Sequence, residues 1–277
     1  MTIIIGKSAN LSIALAKALP DIRLISSQHP AEDLKRLGLG KTDSVNVIFN
    51  NFQRSTMLYD ASVPTAYVQR ALMCTAEVLE YLEKSGVTVL KVLYTSSSSV
   101  YGNNIFCKEE DPLIPTSLHA SLKITNEKLV ESFCKKNGYD YTICRVFNMY
   151  GGNDSFSIIS KIIRAARENI ELTLYNNGNA LRDFIHIDDV VTVYKALLKT
   201  GDTPIVNVGT SNGISVKHIL DFLRNHQIEI RYKTIDKEEL RISTADISRL
   251  QKILPDLKFG RAEDYILKQL ETGERDA

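Results

Sequence analysis

Four consecutive hydroxyls, Ser96-Ser97-Ser98-Ser99, close an apolar run over 87–95, and further on His119 and Lys123 stand four residues apart in a helical pattern. That spacing puts the imidazole and the amine on one side of one helical turn. Strand-end hydroxyls and such a pair can converge on one substrate carbonyl, and an imidazole can serve there as general acid or base. An unperturbed imidazole titrates near about 6.5, and an ammonium beside it depresses that value, so Lys123 would keep His119 a neutral base.

A second constellation opens the chain. Gly6, Ala9 and Ser12 keep a three-residue spacing after the apolar run 2–5, the place where a dinucleotide-binding sheet needs small residues so that a pyrophosphate can approach the backbone and the helix can pack on its strand. After the next apolar run, 22–25, an NAD site would present an acid to the adenosine ribose. This chain has Ser26 and Ser27 there, with Arg23 and His29 nearby, which tilts the reading towards NADP, with Ser26 at the ribose.

The elements that must position these groups follow from periodicity. Short apolar runs without alternation at 2–5, 22–25, 45–49, 87–95 and 141–147 fit buried parallel strands. Helical patterns over 11–19, from Pro64 to a stop at Gly86, and over 118–136 separate them. Strands alternating with helices predict an α/β fold, a Rossmann-type doubly wound parallel sheet with its chemistry at the carboxyl ends of the strands. After Gly151-Gly152 the pieces shorten to a helix near 156–168, a turn at 176–179, a helix over 188–199 and a strand over 205–208. The division expected is a dinucleotide-binding domain over 1–150, to which part of 182–210 returns, and a small C-terminal substrate-binding lobe over 151–277.

Composition narrows the class. Of 277 residues, 44% are hydrophobic and 24% charged, which excludes a disordered chain, and the net charge of +1 offers no footprint for nucleic acid or an anionic membrane. Cys74, Cys107, Cys134 and Cys144 form no CxxC pair, so they read as core packing, with neither disulfides nor a metal site expected. No apolar run reaches a membrane span of about 18 residues, and the opening run is too short for a signal peptide; a cytoplasmic protein is expected.

Four ordered motifs carry a resemblance: Ser96 to Gly102 (SSSSVYG), Arg145 to Gly151 (RVFNMYG), Arg182 to Asp189 (RDFIHIDD) and Ala245 to Arg249 (ADISR). Together they resemble the extended short-chain dehydrogenase/reductase family, the NAD(P)-dependent nucleotide-sugar epimerases, dehydratases and ketoreductases. The resemblance implies Ser97 as the polarising hydroxyl, with Ser98 and Ser99 beside the substrate. It implies Lys123 as the lysine that holds the nicotinamide ribose, and it puts His119 where the family carries its catalytic tyrosine. If the proton carrier lies elsewhere, Tyr101, Tyr150 and His186 are the alternatives.

Further implications concern the substrate. Arg182 matches an arginine that contacts the diphosphate, Asn148 an asparagine that holds the substrate, and Arg241 or Lys237 could supply a second phosphate contact. Asp183, Asp188 and Asp189 are expected to orient their segment and cap a helix starting near Val190. Three places depart from the family besides the thinned glycine turn: His119 itself, Leu122 for a small serine, and Phe49-Asn50-Asn51-Phe52-Gln53 for His-Leu-Ala-Ala-Gln at the family's fourth strand. The activity implied is hydride transfer at a sugar carbon, as an epimerase or 4-ketoreductase; the alternative is a member that binds a nucleotide sugar or dinucleotide without normal turnover. A 4,6-dehydratase fits less well, since Ser98, Ser99 and Val100 replace its acids. The helices over 64–84 and 118–136 resemble those of a family homodimer.

Overall fold

The computed structural model describes residues 1–51 and 64–272. Its first half alternates β1 (Thr2–Ile5), α1 (Asn10–Ala18), β2 (Ile22–Ile25), α2 (Pro30–Leu37) and β3 (Ser44–Phe49). A long helix follows as α3 (Pro64–Val68), a π-helical turn (Gln69–Met73) and α4 (Cys74–Ser85); β4 (Thr88–Ser97), the short β5 (Phe106–Cys107), α5 (Leu118–Asn137), β6 (Tyr141–Val146) and β7 (Asn148–Tyr150) complete this part. The remainder runs α6 (Ile158–Glu168), β8 (Leu172–Tyr175), β9 (Leu181–His186), α7 (Ile187–Leu197), β10 (Ile205–Val208), β11 (Gly213–Ser215), α8 (Val216–Asn225), β12 (Tyr232–Ile235), β13 (Ile242–Ala245), α9 (Ser248–Ile253) and α10 (Ala262–Thr272).

Six strands form one sheet in the order β2-β1-β3-β4-β6-β10, every pair parallel. Because side chains alternate along a strand, β1 feeds both layers: Ile4 packs with Leu11, Leu15 and Val190 on one face, Ile3 and Ile5 with Leu34, Val78 and Val130 on the other. Helices therefore cover both faces, the doubly wound α/β arrangement that the apolar runs predict. The strand order differs in one respect from the dinucleotide-binding order 3-2-1-4-5-6. Here β3 crosses to the far side of β1, β2 is an edge strand among the described residues, and Asn50-Asn51 follow the sheet's third strand. Phe52 and Gln53 of the same motif lie outside the described residues.

The C-terminal part holds a second sheet, β11-β9-β13-β5 with β7 also on β9, and a third apolar cluster around Ile162, Leu174, Phe184, Leu223 and Ile266. β10 rejoins the main sheet beside β6. The helix expected to open near Val190 opens at Ile187, and its cap is His186, whose side chain accepts from Asp188 N. The aspartates do other work: Asp183 is buried and accepts from the backbone N–H of Thr210, Ser211 and Ala245, and Asp189 accepts from Gly260 N. All four cysteines are buried free thiols. Among the described residues no helix is long and apolar enough to cross a membrane.

Candidate active site

The carboxyl end of β4 is the centre of the site. Thr95 and Ser96 are buried and Ser97 is the last strand residue, half-buried, with Ser98 and Ser99 starting a single 3-10 turn. Ser97 Oγ accepts from Ser99 N at 3.2 Å and from Ser99 Oγ at 3.0 Å. A hydroxyl has two lone pairs and one proton, so with both lone pairs engaged Ser97 presents its O–H as a donor.

α5 brings the other two groups. Ser117 caps it by accepting from Ala120 N, which fixes His119 in the first turn and Lys123 one turn later. Lys123 Nζ donates to Thr95 O at 2.8 Å and sits 5.1 Å from the centroid of the Tyr94 ring. Burial pushes the amine down to about 7, with the Glu127 carboxylate opposing. His119 is held at about 4, first by burial and then by the Lys123 charge. The two share a cavity of about 10 Å³ with Asn51, Tyr94, Leu122 and Asn126, room for about one water molecule. Leu122, in place of a smaller serine, supplies part of the bulk that fills it.

Beneath this surface two buried polar networks fix the strand ends. Ser12 Oγ accepts from Asn50 Nδ2 at 3.2 Å, Asn50 Oδ1 accepts from Thr95 Oγ1, and Thr95 Oγ1 lies 2.8 Å from Tyr194 OH. Ser12 is thus wholly buried in the packing of α1 on the sheet, its hydroxyl engaged by Asn50. The second network joins Ser96 to Glu127 and Glu127 to Arg145 through a bidentate pair, 3.2 and 2.8 Å. Arg145 in turn donates to Tyr101 OH at 3.0 Å, and Tyr101 OH donates to Asn207 Oδ1 at 2.6 Å.

That consumes Tyr101 as a proton carrier. Tyr150 and His186 stack with Tyr265, at 5.2 Å from each other and 5.3 and 4.9 Å from its ring, and His186 and Tyr265 border a different cavity with α1 and α10. None of the three alternatives joins Ser97 and Lys123.

At the N-terminal turn Gly6 has φ +98°, and a Cβ there would collide with Asn50 O, so glycine is required by the turn and by the close approach of β3. α1 opens on Ala9, which gives no side-chain cap. The positive end of a helix favours an anion. Ser26 follows β2, and its N–H donates to Asp33 Oδ2 at 2.9 Å. Asp33 lies in the first turn of α2, seven residues on.

The diphosphate candidates sit on the second sheet. Arg182 Nη2 pairs with Glu239 Oε2 at 3.0 Å, and burial holds its guanidinium below the usual range, with Glu239 opposing. Glu239 Oε1 also accepts from Asn176 Nδ2 at 2.9 Å. Arg241 is exposed and borders, with Lys237, Glu239 and Asn176, a cavity of about 540 Å³. Asn148 Nδ2 donates to Asp183 O at 3.0 Å, leaving its carbonyl for a ligand. Among the described residues no cluster of three or more His, Cys, Asp or Glu could hold a metal.

The chain is similar to known proteins. A UDP-glucuronate 4-epimerase from Thermodesulfobacterium geofontis is 28% identical over 222 residues, 77% of this chain and 68% of that protein. A UDP-glucuronic acid 4-epimerase from Bacillus cereus, solved with UDP-glucuronic acid and NAD, superposes with a TM-score of 0.80 at 20% identity over 98% of each chain. A UDP-N-acetylglucosamine 4-epimerase from Methanobrevibacter ruminantium, solved with UDP-N-acetylmuramic acid, gives 0.78 at 22% identity over 98% of this chain and 96% of that one. The model of the NAD dependent epimerase/dehydratase family matches residues 33–209, starting after the Gly6 turn and running through the serine run, His119 and Lys123 to the Arg182 segment, and this chain belongs to that family.

Proposed function

We propose that this protein binds a nucleoside diphosphate sugar between the main sheet and the C-terminal lobe and, with NAD or NADP, acts at a sugar carbon as an epimerase or 4-ketoreductase. The observation that carries the reading is Lys123 Nζ on Thr95 O, two residues before Ser97, whose Oγ accepts twice from Ser99 and keeps its O–H to donate. The residues present fit the dinucleotide: the Gly6 turn and the uncapped start of α1 would take its pyrophosphate, and Lys123 its nicotinamide ribose. When bound, that group supplies the hydride chemistry.

The chain's own residues do the rest. Ser97 Oγ–H donates to the reacting sugar oxygen, and the neutral His119 ring takes up or returns its proton. Lys123, at about 7, exchanges protons readily near neutral pH. Arg182, with Arg241 or Lys237, matches a dianionic diphosphate, a guanidinium fork suiting two phosphate oxygens. A homodimer through α3, α4 and α5 belongs to the same reading; a sedimentation mass of one chain at micromolar concentration overturns it.

A second reading, binding without normal turnover, is favoured by one observation: at about 4, His119 is a weak base for work at neutral pH. The deciding experiment incubates the protein with NAD(P) and a panel of UDP-, dTDP-, GDP- and CDP-sugars and follows product by NMR, beside His119→Ala and His119→Tyr. Turnover lost in His119→Ala supports histidine as the working group. An inactive wild type with turnover in His119→Tyr supports the second reading.

A further inference from the structure

The loop that leads from β7 into the C-terminal lobe is held by one side chain of α1. Asn10, the first residue of that helix, donates from Nδ2 to Gly151 O at 2.8 Å and accepts at Oδ1 from Asn153 N at 2.9 Å, across 141 and 143 residues of chain. A carboxamide offers one donor end and one acceptor end, so a carbonyl on one side and an N–H on the other fix which way it points. Gly152 lies between the two contacts at φ +61°, and a Cβ there would stand 2.8 Å from Asn10 Oδ1. Glycine lets the loop close on this side chain.

Both ends of the loop are anchored. Before it, β7 pairs with β9 from Asn148 beside Phe184 to Tyr150 beside His186, and Asn148 Nδ2 donates to Asp183 O. After it, Asp154 Oδ1 accepts from Phe156 N and Ser157 N, and Ser157 caps α6. A displacement of α1 is therefore passed on to β7 and β9, which carry Asn148 and Arg182, with little slack to absorb it. On its other side Asn10 belongs to the first turn of α1, whose backbone N–H groups have no partner within the helix. One residue thus touches the start of α1 through its backbone and the substrate lobe through its side chain.

We propose that Asn10 is a positioning residue that joins the two halves of the site, so that a dinucleotide at the start of α1 and a nucleoside diphosphate at the C-terminal lobe strengthen each other's binding. The proposal rests on the nucleotide readings given under the proposed function. An anion held by the first turn of α1 restrains Asn10, and the carboxamide restrains 151–153 in turn. The second ligand then meets a lobe that costs less to order. The same coupling acts in both directions, because it belongs to the complex of protein with both ligands.

The test measures the Kd of UDP for the full chain by calorimetry, without and with saturating NAD or NADP, in wild type, Asn10→Ala and Gly152→Ala, the last of which disturbs the same contact from the loop side. Wild type is expected to bind UDP at least about fivefold more tightly with the dinucleotide, and both variants to bring that ratio within about twofold of unity. A role in stability alone would weaken UDP binding in both states and leave the ratio as it is. Hydrogen exchange over 151–157 reads the same bond: the dinucleotide should slow it in wild type and not in Asn10→Ala. A wild-type ratio near unity, or an unchanged ratio in Asn10→Ala, overturns the proposal alone; if Asn10→Ala shows no thermal transition, the ratio in Gly152→Ala decides in its place. Failure of folded wild type to bind UDP, or to bind either dinucleotide, overturns the nucleotide readings and the proposal with them.

Discussion

Lys123 Nζ donates to Thr95 O at 2.8 Å across the end of β4. The bond ties the second turn of α5 to the strand that ends in Ser97, and it buries an amine whose nearest carboxylate on the same helix, Glu127, is already bound to Arg145. The result is a lysine poised near neutrality, pushed down by burial to about 7.

Lys123→Met keeps most of the volume and removes the amine. Turnover of any sugar nucleotide that the wild type converts is expected to fall about 100-fold or more, and Thr95 O loses its donor, costing about 1–3 kcal/mol of stability. Steady-state kinetics and urea denaturation read the two effects separately; full turnover in the variant would remove Lys123 from the mechanism.

His119 should stay unprotonated in the folded protein down to about pH 4. Below its ordinary 6.5 the unfolded chain takes up a proton that the folded chain refuses, so His119 contributes a loss of stability as pH falls from 6.5 to about 4. Lys123 has the same sign, its share being lost as pH falls from 10.5 to about 7. Ring-proton NMR of His119 across pH 3.5 to 8 checks the first; a midpoint near about 6.5 would contradict it.

Glu127→Gln leaves the Arg145 guanidinium buried without its anion. Removing one partner of such a pair costs about 3–5 kcal/mol, so the urea midpoint should drop sharply and Ser96 lose its carboxylate acceptor. An unchanged midpoint would mean that water reaches Arg145.

Arg182 and Glu239 predict opposite effects on ligand. Arg182→Ala should weaken UDP binding tenfold or more, about 1.4 kcal/mol, through loss of the fork. Glu239→Gln should tighten it, because the carboxylate that competes for Arg182 at 3.0 Å is neutralised. Calorimetry with UDP on both variants decides, and weaker binding in Glu239→Gln would assign Glu239 a direct ligand contact instead.

Gly6→Ala forces a side chain into φ +98° and against Asn50 O. The conformation alone costs on the order of 1–3 kcal/mol, and the push on Asn50 disturbs the Ser12-Asn50-Thr95 network. Thermal melts should show the loss; wild-type stability with weakened dinucleotide binding would locate the glycine's role at the ligand instead.

Much of the fold is legible in the residues in order. Apolar runs mark β1, β3, β4, β6 and β10 because strands covered on both faces are mostly apolar, whereas β2, expected as a buried strand, has Arg23 and Leu24 exposed; Gly86 and Asn137-Gly138 mark where helices stop. α2 escapes such reading: only Pro30 and Leu34 of its eight residues are buried, too few to show a period. The strand order escapes too, because crossing β3 to the far side of β1 is a matter of which edge is covered and leaves no mark in β3 itself.

The site divides in the same way. Local spacing determines that Ser97 ends a buried strand, that His119 and Lys123 share a helical turn, and that Gly6 opens a strand-to-helix turn, since each depends on neighbours within a few residues. Only the tertiary structure decides what those groups are worth. Burial makes His119 a weak base and Lys123 a near-neutral amine, Asn50 claims the Ser12 hydroxyl from 38 residues away, Glu239 occupies Arg182, and Asp33 accepts from Ser26 N at the end of β2. Hydrogen bonds and desolvation depend on distance in space, and a sequence fixes distance only along the chain.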